Sequence, residues 1–118
     1  MQEPEFILDG ARVLRYSVLE AGRAGYSAMV EGVAVDASSV SRLVIAEDLV
    51  EAGVFLLLCN ADWETVAASR YPDVDAAERG AAQAYSGITP RWTAYRALTP
   101  EEEQQVRTTR EFLREIAG

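Results

Sequence analysis

A chain of 118 residues and 12.9 kDa, 49% apolar and 25% charged, has room for one hydrophobic core, is too apolar to stay disordered, and reads as a single domain over 1–118. Its net charge of −8 and pI near 4.5 set up a field that repels nucleic acid and anionic lipid and favours a basic protein partner. Every basic residue is arginine and histidine is absent, which excludes lysine Schiff bases, imidazole general bases, the Ser-His-Asp triad and histidine metal ligation.

Asp9-Gly10 is a turn pair suited to the positive φ angles of a tight hairpin, joining residues 6–8 to a strand over 11–19. Alternation places Val13, Arg15 and Ser17 on one face and Leu14, Tyr16 and Val18 on the other, the second being the expected core side. Residues 20–25 form a glycine-bearing loop, and 26–35 a third strand weakened or bulged at Gly32. A polar connector over 36–41 leads to a short apolar β segment at 42–46 and an acidic bend at 47–53. Val54–Cys59 is apolar on both alternating faces, the pattern of a central strand covered on two sides. Residues 64–71 can return antiparallel to it across 60–63.

Asp75 is placed to cap a helix over 76–86, with Glu78 completing a capping box and Pro72-Asp73 marking the preceding turn. Ala77, Ala81, Ala84 and Ile88 make a smooth stripe that allows close approach to a sheet, and Gly87 is a natural stop. Residues 88–97 read as extended or irregular, with Trp92 and Tyr95 available for packing. Thr99 as N-cap, Pro100 at the first position and Glu101, Glu102 and Glu103 at the positive end of the dipole announce a helix over 100–117. Arg107, Arg110 and Arg114 fall toward its negative end, and Val106, Phe112, Leu113 and Ile116 form its packing face. The expected fold is α+β, an antiparallel sheet of about five strands with one helix near 76–86 and a C-terminal helix near 100–117.

The lone Cys59 excludes an internal disulfide and a multi-cysteine metal cluster, and at the end of an apolar run it reads as a buried, inert thiol. No stretch approaches the ~20 apolar residues that span a bilayer. The start MQEPEF is acidic where a secretory peptide is basic, so a cytoplasmic protein with no membrane partner is expected. Asn60, Asp62 and Glu64 match only the first fragment of a calcium loop, and Gly22 and Gly25 lack the lysine of a phosphate loop. No catalytic, cofactor-binding or metal-binding residue is therefore assigned, and the protein is not expected to be an enzyme.

The acids crowd the first two thirds: residues 1–78 carry 14 acids and 5 arginines, residues 79–118 carry 5 and 6. The candidate partner-binding set is Glu47, Asp48, Glu51, Asp62, Trp63 and Glu64, an aromatic ring amid carboxylates; Trp63 can equally fold back over its hairpin as core. Two other readings stay open. A small-molecule-binding or enzymatic homo-oligomer would use Tyr16, Tyr26, Arg15 or Arg42 in a helix–sheet pocket, and a plain homodimer would self-associate through the doubly apolar strand or the terminal helix.

Residues 55–63 (FLLLCNADW), followed by Asp75-Ala76-Ala77-Glu78, Ala81, Ala84-Tyr85, Gly87-Ile88 and Trp92, resemble small bacterial α+β domains, some of which look like immunity proteins of polymorphic toxin systems. The resemblance implies a strand hairpin plus helix and, as function, non-catalytic inhibition of a basic toxin. It carries over no catalytic residue.

Overall fold

Asp9 and Gly10 adopt φ angles of 50° and 75°, the left-handed pair of a tight hairpin turn. This reversal begins the computed structural model, which describes residues 3–19, 28–30, 33–35, 40–84 and 90–117. In chain order the elements are β1 (Ile7–Leu8), β2 (Ala11–Val18), β3 (Ala28–Val30), β4 (Val33–Val35), β5 (Arg42–Asp48), β6 (Val54–Cys59), β7 (Thr65–Tyr71), α1 (Val74–Ala84), β8 (Thr93–Ala94) and α2 (Pro100–Ala117). The main sheet is antiparallel in the order β1-β2-β5-β6-β7, and β8 joins the edge of β2 that β1 occupies. This is the expected α+β fold.

The expected third strand over 26–35 is instead a hairpin of its own, β3 against β4 with Val30 opposite Val33. A glycine inside an apolar run permits such a reversal as readily as a bulge. Tyr26, Gly32, the loop at 20–25 and the connector at 36–39 lie outside the described residues.

Alternation along β2 breaks at its middle. Val13 faces Ala46, and the next pair is Arg15 with Ile45, so Leu14 is the extra residue of a β-bulge. Tyr16 is thereby moved to the face of Ala11 and Val13, while Arg15 and Ser17 go to the other. The expectation that Leu14, Tyr16 and Val18 line the core is corrected: Val13 and Ser17 are buried, and Val18 is 44% exposed.

Each face of the sheet carries a core. One gathers Leu43, Ile45, Leu56 and Leu58 beneath Ala77 and Ala81 of α1, with Leu14 and Trp92 packed at its margin. The other gathers Val13, Val44, Ala46, Leu57, Cys59 and Trp63, bordered by Tyr16, Phe55 and Tyr95. β6 lies between them, covered on both sides as its sequence indicates. Each fully buried leucine or isoleucine there stabilises the fold by about 1.5–3 kcal/mol.

The α1 cap is shifted from the expected position. Asp73, not Asp75, accepts the Ala76 N–H on its Oδ1 at 2.8 Å and the Ala77 N–H on its carbonyl at 3.1 Å, so the helix starts at Val74 and Asp75 lies in its first turn. Both aspartates suit a cap; the one following Pro72 takes the role. Glu78 then turns to Arg15 across the layers, at 2.9 Å. The Ala84 side chain, Tyr85, Gly87 and Ile88 lie outside the described residues.

α2 has the bounds its sequence indicates. The Thr99 Oγ1 accepts the Glu102 N–H at 3.1 Å, and Glu102 accepts the Thr99 N–H at 2.9 Å, a reciprocal capping box. Val106 is buried, and Arg12–Glu103 (2.9 Å) and Arg110–Glu47 (3.6 Å) tie the helix to the sheet. The expected packing face is realised only in part, because Phe112 and Ile116 remain exposed. Among the described residues no helix is long and apolar enough to cross a membrane.

Two outcomes follow from these contacts. A Cβ added at Gly80 would overlap the Tyr71 ring, so Gly80→Ala should destabilise by about 1 kcal/mol or more in urea titration, although the same change in an open helix stabilises. The Arg96 ion pair and the Thr99 N–H hold the Glu102 carboxyl down from 4.5 to about 2. A depressed carboxyl stabilises fully above its unfolded pKa and loses that contribution as pH falls through the folded value. Melting temperature should therefore drop between about pH 4.5 and pH 2, and Glu102→Gln should flatten that part of the profile.

Candidate functional site

The β6–β7 tip is built by Asn60. Its Oδ1 accepts the N–H groups of Asp62 (2.9 Å) and Glu64 (3.0 Å), its carbonyl accepts the Trp63 N–H (3.1 Å), and its Nδ2 donates to Glu64 (2.9 Å). Asparagine side chains organise turns in this way. The outcome is a Trp63 φ of 63°, a left-handed conformation costing an L-residue about 1–2 kcal/mol.

That conformation lays the indole back over the sheet, where Trp63 is only 8% exposed. Tyr16 meets it edge to face at 5.8 Å, and Tyr95 meets Tyr16 at 6.2 Å. Arg42 stacks over Trp63 at 5.5 Å and Arg96 over Tyr95 at 5.2 Å, so a row of rings ends in a guanidinium at each side. The Tyr95 hydroxyl donates to the Pro4 carbonyl at 2.8 Å, and burial raises its pKa. Trp63 is a wall of the core, not a protruding anchor.

Beside it opens a cleft of about 450 Å³ lined by Glu3, Glu5, Leu8, Ala61, Asp62 and Trp63. The Thr65 hydroxyl, donating to Asp9 at 2.5 Å, draws the β1–β2 turn against the start of β7 and so brings Leu8 and the N-terminal acids to the tip. Glu3 lies 3.6 Å from Arg96. Glu5 and Asp62 are exposed, and neither carboxylate has an ion-pair partner among the described residues.

The six residues of the candidate partner-binding set lie at two hairpin tips. Asp62, Trp63 and Glu64 lie at one end of β6, and Glu47, Asp48 and Glu51 at the other; six residues of strand separate them by roughly 20 Å. At that far end Asp48 serves the turn: it accepts the Val50 and Glu51 N–H groups at 2.8 and 3.1 Å and pairs with Arg70. Burial pushes its pKa up, but the Arg70 bond and those two amides outweigh this and hold it low. Glu47 pairs with Arg110, and Glu51 lies 3.6 Å from Arg70. Sequence reasoning missed Glu3, Glu5 and Leu8, which the sheet closure alone brings beside Trp63.

Of the residues considered for a helix–sheet pocket, Arg15 faces α1 while Tyr16 and Arg42 stack on the opposite face. Tyr26 lies outside the described residues. Cys59 is fully buried with its Sγ 4.0 Å from Thr65 Oγ1, and burial pushes the thiol up to about 11. Among the described residues no group of histidine, cysteine, aspartate and glutamate is arranged to hold a metal ion. No family model, curated protein or solved structure matches this chain.

The tip yields a paired test. Trp63→Ala should cost about 3–5 kcal/mol in urea titration through lost packing. Trp63→Gly should cost about 1 kcal/mol less, because glycine adopts the left-handed φ without strain. Equal losses would show that the backbone at residue 63 carries no strain.

Proposed function

We propose that this chain is a non-catalytic binding domain that captures a basic protein, in the manner of an immunity-type inhibitor of a basic toxin, through the acidic cleft beside Trp63. One observation carries the reading: Glu3, Glu5 and Asp62 converge on a cleft with an apolar floor, and Glu5 and Asp62 have no ion-pair partner among the described residues. Carboxylates held near one another on a low-dielectric surface focus the field and steer cationic groups inward. Trp63 stiffens the floor, and Leu8 supplies apolar area for the stem of an arginine or lysine. In this reading the protein acts in the cytoplasm of the bacterium that makes the toxin. Glu47 and Asp48, held by arginines of the same chain, act first as structural acids.

The probe is a nona-arginine peptide titrated at two salt concentrations. Glu5→Arg combined with Asp62→Arg should weaken binding at least about tenfold and reduce its salt dependence. Asp75→Arg, on an exposed helix start away from the cleft, should leave it unchanged. A loss from Asp75→Arg in proportion to its charge change, half that of the double variant, would reduce the effect to net charge and overturn the site. The inhibitory role is read from the neighbouring gene and by growth: a basic toxin should be encoded beside this chain, and the chain should rescue cells that the toxin arrests while the cleft variant does not.

A further inference from the structure

The cleft beside Trp63 has two walls of different construction. Ala61 and Asp62 stand on the turn that the Asn60 side chain fixes. Glu3 and Glu5 come from a segment that is neither strand nor helix, so their place must be set from outside it. The far end of that segment is fixed at Phe6, whose carbonyl accepts the Val13 N–H at 2.9 Å. Among the described residues, two contacts tie residues 3–5: the Tyr95 hydroxyl donates to the Pro4 carbonyl at 2.8 Å, and Glu3 pairs with Arg96 at 3.6 Å.

Their strengths differ. The Glu3 and Arg96 side chains are both well exposed, and Arg96 already donates to both oxygens of Glu102 at 2.7 and 2.8 Å. The longer contact with Glu3 is therefore screened and weak. Pro4 is buried, and a buried carbonyl needs a donor inside the protein. The Tyr95 hydroxyl supplies that donor at the one residue that joins the two glutamates.

Tyr95 is itself placed by contacts independent of the cleft. Its N–H donates to the Leu14 carbonyl at 2.9 Å, and its ring meets Tyr16 at 6.2 Å and the Arg96 guanidinium at 5.2 Å. The hydroxyl thus reaches Pro4 from a fixed point, which is what a supporting residue must offer to a preorganised site. We infer that Tyr95 is a positioning residue for the cleft: through the Pro4 carbonyl it holds Glu3 and Glu5 where they act together with Asp62 on one cationic partner. This rests on the basic-partner reading above and assigns control of that site's affinity to a side chain that does not line it.

The experiment is a double-mutant cycle read by titrating nona-arginine into the full chain, well below its melting temperature. Tyr95→Phe removes the hydroxyl and keeps the ring contacts; it should weaken binding about threefold to tenfold, the worth of one hydrogen bond. Glu5→Gln should then cost less in the Tyr95→Phe background than in the unaltered chain. Asp62→Asn should cost the same in both, because Asn60 places it. Unchanged affinity in Tyr95→Phe, even with a lower melting temperature, reduces the hydroxyl to a contact of the fold and overturns the inference. So does a cycle in which Glu5 and Asp62 couple to Tyr95 alike, or in which neither couples, since general loosening or plain additivity then explains the loss. These outcomes spare the cleft. If nona-arginine does not bind, or binds the Glu5→Gln and Asp62→Asn variants as it binds the unaltered chain, the basic-partner reading is overturned and the inference with it.

Discussion

The extra residue at Leu14 decides which side chains meet. Were the pairing regular, Leu14 would face Ile45 and Arg15 would take the position of Tyr16 opposite Val44, putting a guanidinium on the Trp63 side and a phenol on the α1 side. With the bulge Tyr16 reaches Trp63 at 5.8 Å and Arg15 reaches Glu78 at 2.9 Å. The bulged carbonyl also accepts the Tyr95 N–H at 2.9 Å, which holds β8 on the edge of β2 and brings Tyr95 within 6.2 Å of Tyr16. A single insertion in one strand thus assembles the ring row, orients α1 and anchors the segment leading to α2. A bulge bends and twists its strand as well, consistent with a sheet that curls far enough for Asp9 to bond Thr65.

Arginine then ties the layers together. Arg12, Arg15 and Arg110 link strands to helices, Arg70 closes the β5–β6 turn, and Arg96 braces the start of α2. Arg42, Arg70 and Arg96 in addition lie over Trp63, Phe55 and Tyr95. A planar guanidinium can stack and hydrogen-bond at once, which an ammonium cannot do as well. These pairs are partly or fully exposed and screened by solvent, so their main effect is orientation. They matter most for α2, whose small buried face would otherwise set its angle weakly.

Features with local causes were legible in the sequence. The Asp9-Gly10 turn, the doubly covered Val54–Cys59 strand and the Thr99-Pro100 start of α2 each depend on neighbours a few residues away, and each stands where its residues indicate. Features set by distant partners were not legible. The bulge at Leu14 requires β5 and β8 together, and the choice of Asp73 over Asp75 turns on how the chain leaves β7. Of the cleft, Asp62 and Trp63 could be identified from an acidic tip bearing a large ring. Glu3 and Glu5 could not, because the closure that delivers them joins residues more than fifty apart in the chain. That the two acidic turns stand at opposite ends of β6 was legible, since one precedes the strand and the other follows it.

Among the carboxylates, those that stabilise the fold differ from those that remain available. Asp48 and Glu102 are held low in pKa by arginines and backbone amides, and Asp73 caps α1; a cation arriving from outside would have to displace these bonds. Glu5 and Asp62 have no such bond among the described residues, so their charge is not compensated there. The tip that presents Asp62 is already rigid, since Asn60 fixes its backbone and the buried indole holds residue 63 in a conformation it would not adopt alone. A preformed surface orders little on association and keeps more of its contact energy as affinity. The strain at Trp63 is offset by the packing of the same ring against Tyr16 and Arg42.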